Sequence, residues 1–115
     1  MIIEKKIYDY LKRKLSVYVG MERPQNPPES YVIIERVGGN DKNFISKATI
    51  AIKSIAPTLF RAASLDHDVV TAMRDFSAFT TNVSSCTLNA DTNFTDTTTK
   101  EYRYQSTYII TYMED

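Results

Sequence analysis

Residues 100–115 read KEYRYQSTYIITYMED. Every second position from 102 to 112 is taken by Tyr102, Tyr104, Ser106, Tyr108, Ile110 and Tyr112, with Arg103, Gln105, Thr107, Ile109 and Thr111 between them. A period of two sends alternate side chains to opposite faces of a pleated strand. The spacing therefore predicts a closing strand from about 101 to 113, with an aromatic even face that meets a helix. Aromatic pairs across neighbouring strands contribute roughly 0.2–1 kcal/mol each, so such a strand belongs inside a sheet.

The sheet is found by working outward. NFTDTTTK (93–100) is polar and threonine-rich and reads as a turn or a longer hairpin loop. SSCTLNADT (84–92) alternates, with Cys86, Leu88 and Ala90 expected on one face. Upstream, Ala62, Leu65, Val69, Ala72, Met73, Phe76 and Phe79 recur at three- and four-residue steps, which predicts a helix over 59–79 with its apolar stripe covering the sheet. Pro57 ends the strand before it. FISKATIAIKSI (44–55) alternates with Phe44, Ala48, Ile50 and Ile52 on one side and Lys47, Thr49 and Lys53 on the other. GGNDKN (38–43) has hairpin-turn chemistry, and YVIIERV (31–37) is a β-branched and aromatic strand. Pro24, Pro27 and Pro28 make 20–30 an extended loop, with Val17 and Val19 starting a short strand before it. Ile3, Ile7, Leu11 and Leu15 place an amphipathic helix over about 2–15. The order α-β-β-β-α-β-β predicts a single α+β domain, residues 1–115, with a mostly antiparallel sheet and two helices on one face.

The chain has 115 residues, 43% of them hydrophobic, enough for one packed core. Fourteen basic and 14 acidic residues cancel. A zero balance gives no global drive toward nucleic acid. The lone Cys86 forms no internal disulfide and fits a reducing compartment. MIIEKKIYDYLKRKL lacks the continuous apolar run of a signal peptide, and no stretch reaches the roughly 18–20 apolar residues of a membrane helix, so no membrane partner is expected.

Chemistry-bearing patterns are sparse. Asp66, His67 and Asp68 are adjacent on a helix, so their side chains diverge by about 100° per residue, unlike ligands spaced i, i+4. They read as a solvated helix start with acids near the positive dipole end. Cys86 reads as a buried structural thiol rather than a nucleophile, since only His67 could serve it as a base. Val37-Gly38-Gly39 lacks phosphate-loop spacing. Asp91 and Asp96 are too sparse for a calcium loop. No catalytic residue, metal ligand or cofactor is assigned. The candidate interaction residues lie on two expected hairpin tips, Gly38, Gly39, Asn40, Asp41 and Lys42 on one and Asp91, Asn93, Asp96 and Thr98 on the other. Lys12, Arg13 and Lys14, with Lys5 and Lys6, read as a solvated helix face, with contact to DNA or an acidic partner as the functional alternative.

The pattern as a whole resembles the tail terminator and tail-completion proteins of long-tailed phages and prophages. The likeness rests on LKRKLSVYVGMERPQNPPESYVIIE, where a helix leads through a short strand and a proline arm to an apolar strand; on KATIAIKSIAPTLFRAASLDHDVVTAMRDF, a charged alternating strand before a helix; and on NADTNFTDTTTKEYRYQSTYIITYMED, a polar hairpin before the last strand. The resemblance implies a non-enzymatic subunit that assembles as a ring homo-oligomer, usually six-fold, on the tail tube. That ring stops tube growth and offers a surface to the head–tail connector. Its partners would be its own copies, the tail tube protein, the connector protein and, in passing, DNA in the lumen near Lys12, Arg13 and Lys14. Its location would be the virion tail or neck, and the host cytoplasm during assembly. A neck protein on the portal side is the near alternative. A small enzyme, or a ligand- or nucleic-acid-binding domain, is the alternative of a different class.

Overall fold

The computed structural model describes residues 1–114. The elements are helix α1 (Ile3–Lys14), strands β1 (Tyr18–Gly20), β2 (Tyr31–Lys42) and β3 (Ile45–Ala56), helix α2 (Leu59–Arg74), and strands β4 (Val83–Asn93) and β5 (Tyr102–Met113). They form an α+β fold with one five-stranded sheet in the order β1-β2-β3-β5-β4. The β1–β2 pair is parallel and every other pair antiparallel.

The closing strand takes a central place. Its even face lies between the sheet and the helices, where Ser106, Tyr108, Ile110 and Tyr112 are buried. The core above it joins Ile3, Ile7 and Leu11 of α1 to Val69 and Met73 of α2, and to Val32, Ile34, Ile50 and Ile52 of the sheet. Spacings of three and four bring these helical residues onto one stripe. The two helices are fastened to each other as well. The Tyr10 hydroxyl donates to the Ala72 carbonyl at 2.6 Å, and its ring meets Phe76 edge-on at 5.3 Å between centroids. Thr58 caps α2, its hydroxyl accepting from the Arg61 N–H at 3.1 Å. Neither helix covers the opposite face of the sheet. That face carries a small Tyr31, Ile33 and Ile55 cluster and a Lys53–Glu35 ion pair of 2.9 Å.

Four expectations are corrected. First, Gly38–Lys42 is not a turn. β2 runs through it, paired residue by residue with Ile45–Thr49, and the loop is only Asn43–Phe44. Both residues have positive φ, 53° and 66°, as a type I′ hairpin requires. The glycines serve a bulge at Arg36/Gly38 instead. Gly39 has φ 151°, and a Cβ there would run into the Lys47 carbonyl. Second, Phe44 therefore sits at the turn and not on the inner face, with 85% of its surface exposed. Third, α2 ends at Arg74, so Phe76 is buried but Phe79 turns out to solvent. Fourth, Ala90 does not share a face with Cys86 and Leu88. A bulge at Leu88/Ala90 pairs Ala90 with Thr107 on the open face and returns Asp91 to the helix side, opposite Ser106.

Candidate functional site

The acidic triplet is not at a helix start. Asp66–Asp68 lies in the middle of α2, with His67 and Asp68 exposed and Asp66 only 3% exposed. The bulge in β4 brings Asp91 against it. Burial is the main reason the Asp66 carboxyl is pushed up to about 8, followed by its hydrogen bond with Asp91 and the charge of that neighbour. Asp66 is thus held protonated at neutral pH, donating toward Asp91, and its Oδ1 has no hydrogen-bond partner. Beneath the pair, the Tyr108 hydroxyl donates to Ser106 Oγ at 2.8 Å, and burial pushes the phenol well above its ordinary range. Among the described residues no group of three or more His, Cys, Asp or Glu side chains could hold a metal ion. Cys86 is half-buried against α2, beside Met73 and Arg74, and burial pushes its thiol up to about 12, far from thiolate chemistry at neutral pH.

The two sets of candidate interaction residues separate in character. Gly38, Gly39, Asn40, Asp41 and Lys42 are all exposed, but they line a strand rather than a tip. Asp91 and Asn93 end β4, and Asp96 and Thr98 lie in the connection beyond it. The Asn93 and Asp96 side chains shape that connection. Asn93 Oδ1 accepts from the Thr95 N–H and hydroxyl at 3.0 and 2.6 Å, and Asp96 Oδ1 accepts from the Thr98 N–H at 2.9 Å. The bond from the Thr99 N–H, at 3.3 Å, and then that from the Thr98 N–H hold the Asp96 carboxyl below its usual range. Lys12, Arg13 and Lys14 are exposed together at the end of α1. Two of them lean on rings, Lys12 over Tyr8 at 5.4 Å and Lys14 between Tyr10 and Phe79 at 5.6 and 5.4 Å.

The strongest surface signal escaped the sequence reading. Four of the five phenylalanines are exposed: Phe44 by 85%, Phe60 by 81%, Phe79 by 68% and Phe94 by 48%. Phenylalanine is among the residues most often buried, so four exposed ones on a chain with five are a marked feature of this surface. They stand apart, at the β2–β3 turn, the start of α2, the segment after α2 and the entry to the β4–β5 connection. An open groove follows α2. It consists of two adjoining depressions of about 460 and 170 Å³ that share Val17, Leu65 and Asp68 in their walls. The molecule has extents of 44 × 25 × 25 Å, and β4 forms one edge of the sheet with no lysine or proline along it. Native edges commonly carry such residues to block further pairing.

No protein-family model matches the chain, and no curated protein matches its sequence. No helix among the described residues is long and apolar enough to cross a membrane.

Proposed function

We propose that this chain is a structural subunit of a long-tailed phage or prophage, a tail terminator that closes the tail tube as a ring of its own copies and presents a surface to the head connector. The observation that carries the reading is the outward display of Phe44, Phe60, Phe79 and Phe94 on an otherwise tightly packed domain. A subunit in a ring on a tube needs contacts with a neighbour on each side, with the tube below and with the connector above. Separated apolar anchors on several faces suit that demand, where a ligand-binding protein gathers its groups into one pocket. The zero net charge suits copies packed side by side. The order of elements and the sequence pattern resemble the tail terminator family along nearly the whole chain. In this reading Lys12, Arg13 and Lys14 face the lumen through which DNA passes.

Electron microscopy of lysates from a phage or prophage with this gene disrupted tests the proposal. Filled heads beside free tubes of uncontrolled length are expected. Intact virions of normal appearance would remove the terminator reading.

A further inference from the structure

The most exposed of the four phenylalanines sits on a tip with charge of its own. Lys42 stands opposite Ile45, and Asn40 opposite Lys47, so Lys42, Ile45 and Lys47 share one face of the β2–β3 hairpin, next to the turn that carries Phe44. Met113 lies beside Ile45 on the same face. Ile45 and Met113 are each about half exposed, at 45% and 54%. Asp41 pairs with Ser46 and belongs to the other face. The tip is therefore apolar at its end and positive on one side. Among the described residues neither Lys42 nor Lys47 forms an ion pair.

The groove along α2 has the opposite character. Leu15 and Val17 form one wall, Leu65 and Ala72 the other, and Asp68 and Asp75 stand along it. Asp68 lies within α2 and Asp75 is the residue that caps its C-terminus, seven positions on, roughly 10 Å further along the same side. Among the described residues neither forms an ion pair. The two cations of the groove wall are engaged elsewhere, Lys14 over the Tyr10 and Phe79 rings and Arg61 with Glu29 at 3.6 Å. Two unpaired lysines beside an apolar knob on one part of the chain thus match two unpaired aspartates beside an apolar trough on another.

We infer that the β2–β3 tip of one copy docks in the α2 groove of the next, with Phe44 between the Leu15–Val17 and Leu65–Ala72 walls and Lys42 and Lys47 against Asp68 and Asp75. Tip and groove are different surfaces, so the contact is heterologous. Each copy can give its tip to one neighbour and accept the tip of another, which is the kind of contact that rings are built from when the rotation between copies closes. This inference rests on the reading of the chain as a self-assembling ring, and it names the contact by which the ring is made. The aromatic side chain is the anchor. The charge pairs at the rim set direction and exclude the reversed approach.

The test replaces Phe44 with p-benzoylphenylalanine, which keeps an aromatic side chain at the turn, and irradiates the purified full chain. Covalent dimers are expected, and peptide mapping should place the new bonds within residues 15–17 and 65–75 of the second copy. Bonds mapped to any other segment, or no covalent dimer at all, would overturn the inference. A charge series keeps the result independent of the probe's own folding. Asp68→Lys with Asp75→Lys should cut the yield of covalent dimer at least about tenfold, and adding Lys42→Glu and Lys47→Glu should restore it. Unchanged yield in the doubly reversed groove also overturns the inference. The two readings part cleanly. Uncontrolled tube lengths on gene disruption without the mapped bond would keep the terminator and remove this contact. The mapped bond with normal virions would keep the contact and remove the terminator.

Discussion

The buried Asp66 makes the stability of the fold depend on pH in an unusual direction. Its carboxyl titrates at about 8 in the folded chain against an ordinary 3.8, because it is buried and faces Asp91. The folded chain therefore keeps a proton that the unfolded chain releases. For a raised value the stabilisation is complete below the unfolded pKa and is lost as pH rises through the folded one. Between about pH 5 and 7.5 a full proton of difference removes about 1.4 kcal/mol per pH unit. Asp91 is exposed, and water on its side weakens the coupling, so about 1–3 kcal/mol over that window is the expected loss. For a chain of this size that corresponds to roughly 4–12 °C in melting temperature. Asp66→Asn keeps an N–H to offer Asp91 and cannot ionise. Urea unfolding of both proteins across the window isolates the Asp66–Asp91 pair, because titrating side chains away from it cancel in the difference. The difference should tilt toward the variant by about 1–3 kcal/mol as pH rises. A difference constant to within about 0.3 kcal/mol would show that Asp66 is ionised in the fold and would refute the reasoning.

Three further outcomes follow from the same structure. Gly39→Ala should cost about 1–3 kcal/mol in urea unfolding, because φ there is 151° and the Lys47 carbonyl occupies the Cβ position, whereas Gly38→Ala meets nothing closer than Thr49 at 3.8 Å and should change stability by less than about 0.5 kcal/mol. Phe76→Ala, which empties a fully buried site against Tyr10, should lose about 3–5 kcal/mol, and Phe79→Ala no more than about 1; equal losses would contradict the end of α2 at Arg74. Under the proposed terminator function, reversing Lys12, Arg13 and Lys14 to glutamate should lower infectivity, and undiminished infectivity would take these residues out of the lumen.

Much of the fold was legible because its periods are long. Six even positions from Tyr102 to Tyr112 leave no doubt about a strand, and Ile3, Ile7 and Leu11 leave none about a helix. Gly38 and Gly39 misled because glycine suits both turns and bulges, and only the pairing of Gly38 with Thr49 decides between them. Phe76 and Phe79 continue one helical stripe in the sequence, but the helix stops two residues before the first of them. The Asp66–Asp91 contact had no local signature at all. It joins residues on two elements, and it depends on a one-residue bulge that reverses which face of β4 each later side chain occupies. Exposed aromatics were equally hidden, since a phenylalanine reads as core until its neighbours in space are known.

One of those phenylalanines stands where the backbone would sooner have glycine. At φ 66°, Phe44 is the second residue of a turn most readily built from Asn-Gly, and a residue with a Cβ in that left-handed region costs roughly 1–2 kcal/mol. A protein engineer optimising melting temperature would choose Phe44→Gly first and would be rewarded with a steadier fold. The same edit would remove the most exposed of the phenylalanine rings. Under the docking inferred above, thermal robustness of the single chain and its capacity to join others are opposed at this residue, and a stabilised variant picked without regard to assembly would be the least informative one to study.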